Sequence, residues 1–383
     1  MSEQTPTRDP FDLCGTTIQD KYRITSVVGT GGFGVVYRGE HTGFGEPIAV
    51  KCLKLPSELD SEQRESLLSR LQDEGRVLHR LSRLSPGIVQ ALDVGAITSP
   101  KGQWVPYLVL EWLEGRTLAE YVKDRAARED GPLTVDEAIE LLEPAARALA
   151  VAHQQKVAHR DVKPENLVLT EVSGQRTLKV LDFGIAKVLA HHSEFTAAPA
   201  ATQKVATAFT PHYGAPEQFN KKRGATGPWT DVFALALILV ELVSGERALD
   251  GDDATQLYIA AADPSARPTL RYRGVATSDA LDQVLQEALA VDPHDRYPDA
   301  GSFWDALREA VGQEPSPTSL DGDHSNTSDF VSRHGIGLDP EQLSEIDEQL
   351  DGKTKRAQGI GGAKADGPAD TTHREGGRES DEA

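Results

Sequence analysis

The 383-residue chain has little cysteine, a single methionine and no long apolar run. Its two cysteines, Cys14 in a loose N-terminal stretch and Cys52 inside an apolar run, make neither a disulfide framework nor a zinc site. Their scarcity fits a reducing compartment. The longest apolar run, Val232 to Val240, is far shorter than the roughly 20 residues that cross a bilayer. Met1 to Pro10 is polar and lacks the apolar region of a signal peptide. Basic charge is also short: 40 Lys and Arg face 60 Asp and Glu, for a net charge of −20. That balance excludes a general binder of nucleic acid or anionic membrane and leaves room only for a local basic groove. The expectation is a soluble, cytoplasmic protein.

What is present is unevenly distributed. Hydrophobic residues make up 38% of the chain, enough for a core but below the average of a fully packed one. The shortfall lies at the end. From Glu314 to Ala383 there are 16 acidic and 7 basic residues, ten glycines and one aromatic residue, Phe330. Residues 313–383 therefore read as an acidic, glycine-rich, mostly disordered tail. One amphipathic stretch within it, Pro340 to Leu350, reads as a transient, solvated helix, with a contact for a partner or docking on the folded domain as the alternatives. Residues 1–20 read as a flexible N-terminal segment, which leaves 21–312 as the folded domain.

Within that domain the periodicity changes. Arg23 to Val50 carries short β-rich runs broken by glycines, and Ile88 to Trp112 returns to the same character. Ser61 to Leu84 has leucines at helical spacing. From Gly115 onward the pattern is mainly helical. Thr134 and Glu137 form a capping-box pattern ahead of a long helix that contains Pro144, so a kink or irregular start is expected there. Val232 to Val243 is apolar all round, as suits a helix buried in a domain centre.

Two motifs carry chemistry. His159-Arg160-Asp161-Val162-Lys163-Pro164-Glu165-Asn166 supplies a proton acceptor, a cation and an amide in one short loop. Asp182-Phe183-Gly184 follows it. Asp161, Lys163, Asn166 and Asp182 are the groups that phosphoryl transfer from a magnesium nucleotide to a hydroxyl requires. Asp161 would orient the acceptor hydroxyl or take its proton. Lys163 would neutralise the transferring phosphoryl, and Asn166 and Asp182 would offer hard oxygens to magnesium. Gly29-Thr30-Gly31-Gly32-Phe33-Gly34 follows a strand, and Val35-Val36-Tyr37 continues as strand, which favours a β-hairpin lid over a nucleotide. Alone this motif is weak, because dinucleotide-binding folds share its glycine spacing. Lys51 ends the apolar run Ala49-Val50 and needs an anion. A carboxylate on the following helix would hold it, and Glu74 is better placed than Glu62, Glu65 or Asp73.

Taken in order, the glycine loop, Ala49-Val50-Lys51, the His-Arg-Asp loop, Asp-Phe-Gly and Ala215-Pro216-Glu217 resemble the eukaryotic-type (Hanks-type) serine/threonine protein kinases, in a bacterial form. The resemblance runs from about Tyr22 to Val311. It implies an α+β, bilobal fold: a small antiparallel-sheet N-lobe with one main helix (about 21–110), a hinge at 111–113 and a larger, mainly helical C-lobe (about 114–312). It also implies a nucleotide site lined by the glycine loop with Val36, Ala49, Lys51, Leu110, Glu111 and Leu113. The hinge backbone would meet adenine, and Leu110 would gate the pocket behind it. Thr210 would hydrogen-bond Asp161 and Lys163. His159, Phe183 and Leu78 would stack as part of the family's regulatory hydrophobic spine, Gly184 would be a structural residue, Asp231 would support the catalytic loop, and Arg296 would pair with Glu217. Lys163, two residues after Asp161, and Thr210-Pro211-His212-Tyr213 point to serine or threonine acceptors. Arg160 would receive a phosphate on the activation loop, with Thr202 favoured and Thr207 second.

The resemblance further implies ATP with Mg2+ (or Mn2+) and protein substrates. Without a membrane span or extracellular repeats, the chain would take its signal inside the cell. Phe209 stands where many relatives have glycine, and Ala236 stands where many have glycine in the central helix. Neither removes a catalytic group. The rival readings are a pseudokinase scaffold, which would normally lose Lys51, Asp161 or Asp182, and a small-molecule kinase, which would normally lack Glu217 with Arg296.

Overall fold

The computed structural model describes residues 9–32, 34–55, 59–172, 174–183 and 209–313. Six strands form one antiparallel sheet in the order β1-β2-β3-β4-β6-β5. They are β1 Thr17–Ile18, β2 Tyr22–Thr30, β3 Gly34–His41, β4 Pro47–Leu53, β5 Ala91–Thr98 and β6 Trp104–Glu111. Side chains alternate across a sheet, so each strand splits its residues between two faces. Val35, Tyr37, Ile48, Val50, Cys52, Tyr107 and Val109 fill the outer face. Leu53, Leu108 and Leu110 fill the inner face, against helix α1, Ser61–Leu84. The helix starts on a capping box in which Asp60 accepts from the Gln63 amide and Gln63 returns the bond. It turns Leu67, Leu71, Gly75, Leu78 and Leu81 toward the sheet. Gly75 is where the helix comes closest: a Cβ there would stand 3.4 Å from Val94 Cγ1.

The expected flexible N-terminal segment is corrected for residues 9–20, which are packed. Phe11, Leu13 and Ile18 are buried on the outer face of the sheet, with Leu13 only 1% exposed. Asp9 ties the segment down. Its Oδ1 accepts from the Tyr37 hydroxyl at 2.6 Å and the Asp12 amide at 2.9 Å, and its Oδ2 accepts from the Cys14 amide at 2.8 Å. Three apolar side chains separated by polar ones make no periodic pattern, but they find a sheet face that would otherwise stay wet.

Below the sheet lies the C-lobe. Strand β7, Gly115–Thr117, pairs with β8, Leu167–Val172, and β8 with β9, Gln175–Val180. Helices α2, Leu118–Ala127, and α3, Val135–Gln154, follow the hinge. The Thr134/Glu137 capping box forms as expected. Helix α3 runs unbroken through Pro144, whose missing N–H costs only the carbonyl of the exposed residue Glu140 its helix partner. Next come α4, Pro216–Phe219, α5, Pro228–Ser244, α6, Ala254–Ala262, α7, Asp279–Ala288, and α8, Ala300–Ala310. Helix α5 buries every residue from Thr230 to Val240 and forms the centre of the lobe. The two lobes join at a parallel bridge between Ile88 and Val180, where the Val89 amide donates to the Val180 carbonyl at 3.1 Å. This is the bilobal arrangement expected. The tail from 314 to 383 lies outside the described residues.

Leu13→Ala should lower the unfolding free energy by about 3 kcal/mol, read from urea titration, because it opens a cavity under the sheet. A loss under about 1 kcal/mol would mean that the segment does not form part of the core.

Candidate active site

Strand alternation places Val36, Ala49, Lys51 and Leu110 on the inner face of the sheet, above the cleft. Ala49 pairs in register with Leu110, and Lys51 with both Val36 and Leu108. The glycine loop is the hairpin of β2 and β3. Thr30 faces Val35, and the Gly31 amide donates to the Gly34 carbonyl at 2.9 Å. A Cβ at Gly29, Gly31 or Gly32 would meet nothing within 4 Å. Those glycines of the hairpin are thus not called for by crowding. Gly34 differs: its close approach to the Cys52 carbonyl leaves no room for a side chain. Phe33 and Gly184 lie outside the described residues, as do Thr202 and Thr207.

At the hinge, Glu111 Oε1 accepts from the Gln90 amide at 2.8 Å and from Lys179 Nζ at 2.6 Å. Lys179 is 9% exposed, so this pair fixes the hinge to β9 from below. Leu110 is buried beside it, and Leu113 packs at the margin of the core.

Lys51 Nζ stands 2.7 Å from Asp182 Oδ2. This corrects the expected Lys51–Glu74 pair. Glu74 lies half-buried on α1, on the same stripe as Leu67, Leu71 and Leu78, and among the described residues the ion pair of Lys51 is with Asp182 and not with Glu74. The nearer carboxylate wins because Lys51 and Asp182 meet within the cleft, at 12% and 30% side-chain exposure. Burial acts to raise the Asp182 carboxyl. The Lys51 ammonium outweighs it, with help from His159 and Lys163, and holds that carboxyl below its ordinary value.

The catalytic loop forms a closed set of bonds. Lys163 Nζ lies 2.7 Å from Asp161 Oδ2 and donates to Thr210 Oγ1 at 2.7 Å. The Thr210 amide donates to Asp161 Oδ1 at 3.0 Å. Thr210 therefore reaches both predicted partners, using its backbone for one and its hydroxyl for the other. Asn166 Nδ2 donates to the Asp161 carbonyl at 2.8 Å, so its Oδ1 is the atom left for a cation. Asp182 and Asn166 could offer a hard divalent cation two oxygen donors.

Beneath the loop, Asp231 is fully buried. Its Oδ2 accepts from the His159 amide at 2.7 Å and from His153 Nε2 at 2.9 Å, and its Oδ1 accepts from the Arg160 amide at 2.7 Å. Those bonds hold Arg160 at φ 67°, a left-handed backbone that its side chain disfavours. Asp182 also has a left-handed backbone, at φ 61°. His159 Nε2 lies 2.6 Å from the Leu181 carbonyl, and its ring meets Phe183 edge-on at 4.7 Å. The loop and the Asp-Phe turn are thereby locked together. Arg160 Nε is buried with no hydrogen-bond partner among the described residues.

Glu217 and Arg296 form the expected pair in a bidentate geometry, 2.9 Å on both arms and 0% exposed on both sides. The remaining Arg296 donors go to the carbonyls of Ala290, Trp229 and Val291, so every N–H is used. Breaking such a pair leaves a buried charge unpaired. Sequence reasoning missed His153, Lys179 and Gln218, whose Nε2 donates to the Arg160 carbonyl at 2.8 Å. Only His153 left a trace, as a polar residue on the apolar face of α3.

The family pattern described as protein kinase domain matches residues 22–304. The chain belongs to the protein kinase family. Its similarity extends to a probable serine/threonine-protein kinase PknB of Lactococcus lactis, 34% identical over 309 residues, which cover 80% of this chain and 43% of that protein. The serine/threonine-protein kinase PknB of Mycobacterium tuberculosis is 30% identical over 350 residues, which cover 90% of this chain and 51% of that one. The chain thus spans about half the length of the curated relatives it matches. Among solved structures, the kinase domain of Mycobacterium tuberculosis PknI aligns with TM-score 0.52 and 28% identity, over 77% of this kinase and 98% of that chain. No helix among the described residues is long and apolar enough to cross a membrane.

The depressed Asp182 carboxyl gives a signed expectation. Its charge stabilises the fold fully above the ordinary Asp range, near about 4, and that contribution is lost as pH falls through the lowered value. In Lys51→Met the largest opposition to burial is gone and only the weaker pull of His159 and Lys163 remains, so an NMR carboxyl titration should move the Asp182 midpoint up from its wild-type position. An unmoved midpoint would refute the assignment.

Proposed function

We propose that this kinase transfers the γ-phosphoryl group of ATP to serine or threonine hydroxyls of proteins. The observation that carries this reading is the cluster of Asp161, Lys163, Thr210 and Asn166 facing the Lys51–Asp182 pair. Asp161 orients the attacking hydroxyl and takes its proton, while its Oδ1 stays fixed by the Thr210 amide. The hydroxyl oxygen bonds to the γ-phosphorus as the bond to the β-phosphate oxygen breaks, and ADP leaves. Lys163 lies against the charge gathering on the transferred group. Lys51 grips the α and β phosphates under the glycine hairpin, and the hinge at 111–113 meets the adenine. When bound at Asn166 and Asp182, Mg2+ supplies charge neutralisation across the phosphates.

The Lys163–Thr210 bond supports serine or threonine as acceptors. The two cysteines are free thiols, which supports a reducing, cytoplasmic location. The net charge of −20 supports protein rather than nucleic-acid partners. Arg160, with its unpartnered Nε, is the receiver we propose for a phosphate on Thr202 or Thr207.

Purified protein with labelled ATP and casein tests the reading. Asp161→Asn should cut label transfer by about 10³-fold or more. Wild-type transfer no greater than that variant's refutes it. Mass spectrometry of the active protein should find phosphate between residues 185 and 210, on Thr202 or Thr207. An unmodified segment in active protein removes the regulatory role.

A further inference from the structure

Two positions beside the catalytic loop depart from ordinary expectation together. Phe209 carries a large ring immediately before Thr210, and Gly214 carries no side chain four residues after it. Gly214 has φ −73° and ψ 128°, a backbone open to any residue. Conformation therefore does not call for glycine here; space does. A Cβ at Gly214 would press into the edge of the Phe209 ring, 2.8 Å from its Cδ2 and closer still to its Cε2, and would stand 2.8 Å from Cε2 of Phe219. The two phenyl rings meet edge-to-face at 4.9 Å and 82°, directly over the glycine. Phe219 in turn lies 5.6 Å from the ring of Tyr258 on α6, whose hydroxyl is bonded by Asn220 Nδ2 at 3.2 Å.

This row has one end on the acceptor side of the catalytic loop and the other on α6. At the first end, the residue after Phe209 donates its amide to Asp161 and accepts from Lys163 through its hydroxyl. The placement of that residue depends on the backbone on both sides of it. Downstream, the Tyr213 and Gly214 amides return to the carbonyls of Thr210 and Pro211 in a single tight turn. Upstream, the Phe209 ring is the anchor. An edge-to-face aromatic pair contributes attraction beyond the area it buries and also fixes orientation.

We propose that Phe209 and Gly214 are a size-matched pair, and that Phe209 is a positioning residue for the acceptor side of the site. Its ring fills the volume a side chain at 214 would take, and this seats Thr210 where its amide meets Asp161. The proposal rests on the kinase reading above for its catalytic consequence but not for its packing. Phe209→Gly leaves the volume empty. Gly214→Leu displaces the ring. Combining them restores the volume from the other side of the turn.

The test uses the full chain in four forms: wild type, Phe209→Gly, Gly214→Leu and the double variant. Each is assayed for casein phosphorylation with both substrates varied, and each is melted. Either single change should lower kcat/KM for casein about tenfold and leave KM for ATP within about twofold, because a small misplacement at the acceptor side is costly while the nucleotide side is untouched. The double variant should recover to within about threefold of wild type, and it should melt above Gly214→Leu. Phe209→Gly with unchanged kcat/KM for casein overturns the proposal, and so does a double variant no better than Gly214→Leu. If wild type transfers no more label than Asp161→Asn, the kinase reading has failed. The melting temperatures then decide the pair: additive shifts overturn it and a compensating double variant sustains it.

Discussion

The arrangement of the active site depends on one buried carboxylate. Asp231 leaves water entirely, and charge moved into a protein interior is expensive unless hydrogen bonds replace its hydration. Three donors do so: two consecutive amides of the catalytic loop and the ring of His153. A loop amide buried without a partner would be costly as well, so each side satisfies the other. The result is a loop that cannot drift from α5 without stranding a charge and two amides together. That rigidity is what lets Arg160 keep a disfavoured backbone and Asp161 keep a fixed direction.

Much of this was legible because it is local. The span Ser61–Leu84 could be read from its leucines and the Thr134/Glu137 box from its spacing, since helical periodicity and caps are set by near neighbours in sequence. Order along the chain identified Asp161, Lys163, Asn166 and Asp182, and it paired Glu217 with Arg296, because the family's motifs carry that information. Contacts that close only in three dimensions were not legible. Lys51 had several carboxylates in reach along α1, and no pattern in the chain reveals that Asp182 lies nearer. Lys179 reads as an ordinary strand lysine until β9 is laid under the hinge. Residues 9–20 read as loose because Phe11, Leu13 and Ile18 follow neither a helical nor an alternating period.

The ion pairs separate into two kinds. Glu217 with Arg296 is dry, bidentate and saturated with hydrogen bonds, so it specifies how the segment after the activation loop docks on the C-lobe. Pairs such as Arg76 with Asp73 lie at 71% and 66% side-chain exposure, where water and salt leave them little net energy. Lys51 with Asp182 stands between these limits. It is enclosed enough to shift a carboxyl, yet Asp182 keeps 30% of its side chain in contact with water.

Asp9 also adds to the effect of burial on the sulfurs of the N-lobe. Burial, followed by the Asp9 carboxylate, pushes the Cys14 thiol up to about 11, and burial with the same carboxylate pushes Cys52 up to about 12. Thiolate, not thiol, is the form that alkylating agents and oxidants attack. At neutral pH both sulfurs are therefore protonated almost completely, although Cys14 is exposed. A raised thiol thus counts against labelling at both native positions, so an exposed cysteine introduced elsewhere with an ordinary thiol would hold more thiolate than either of them.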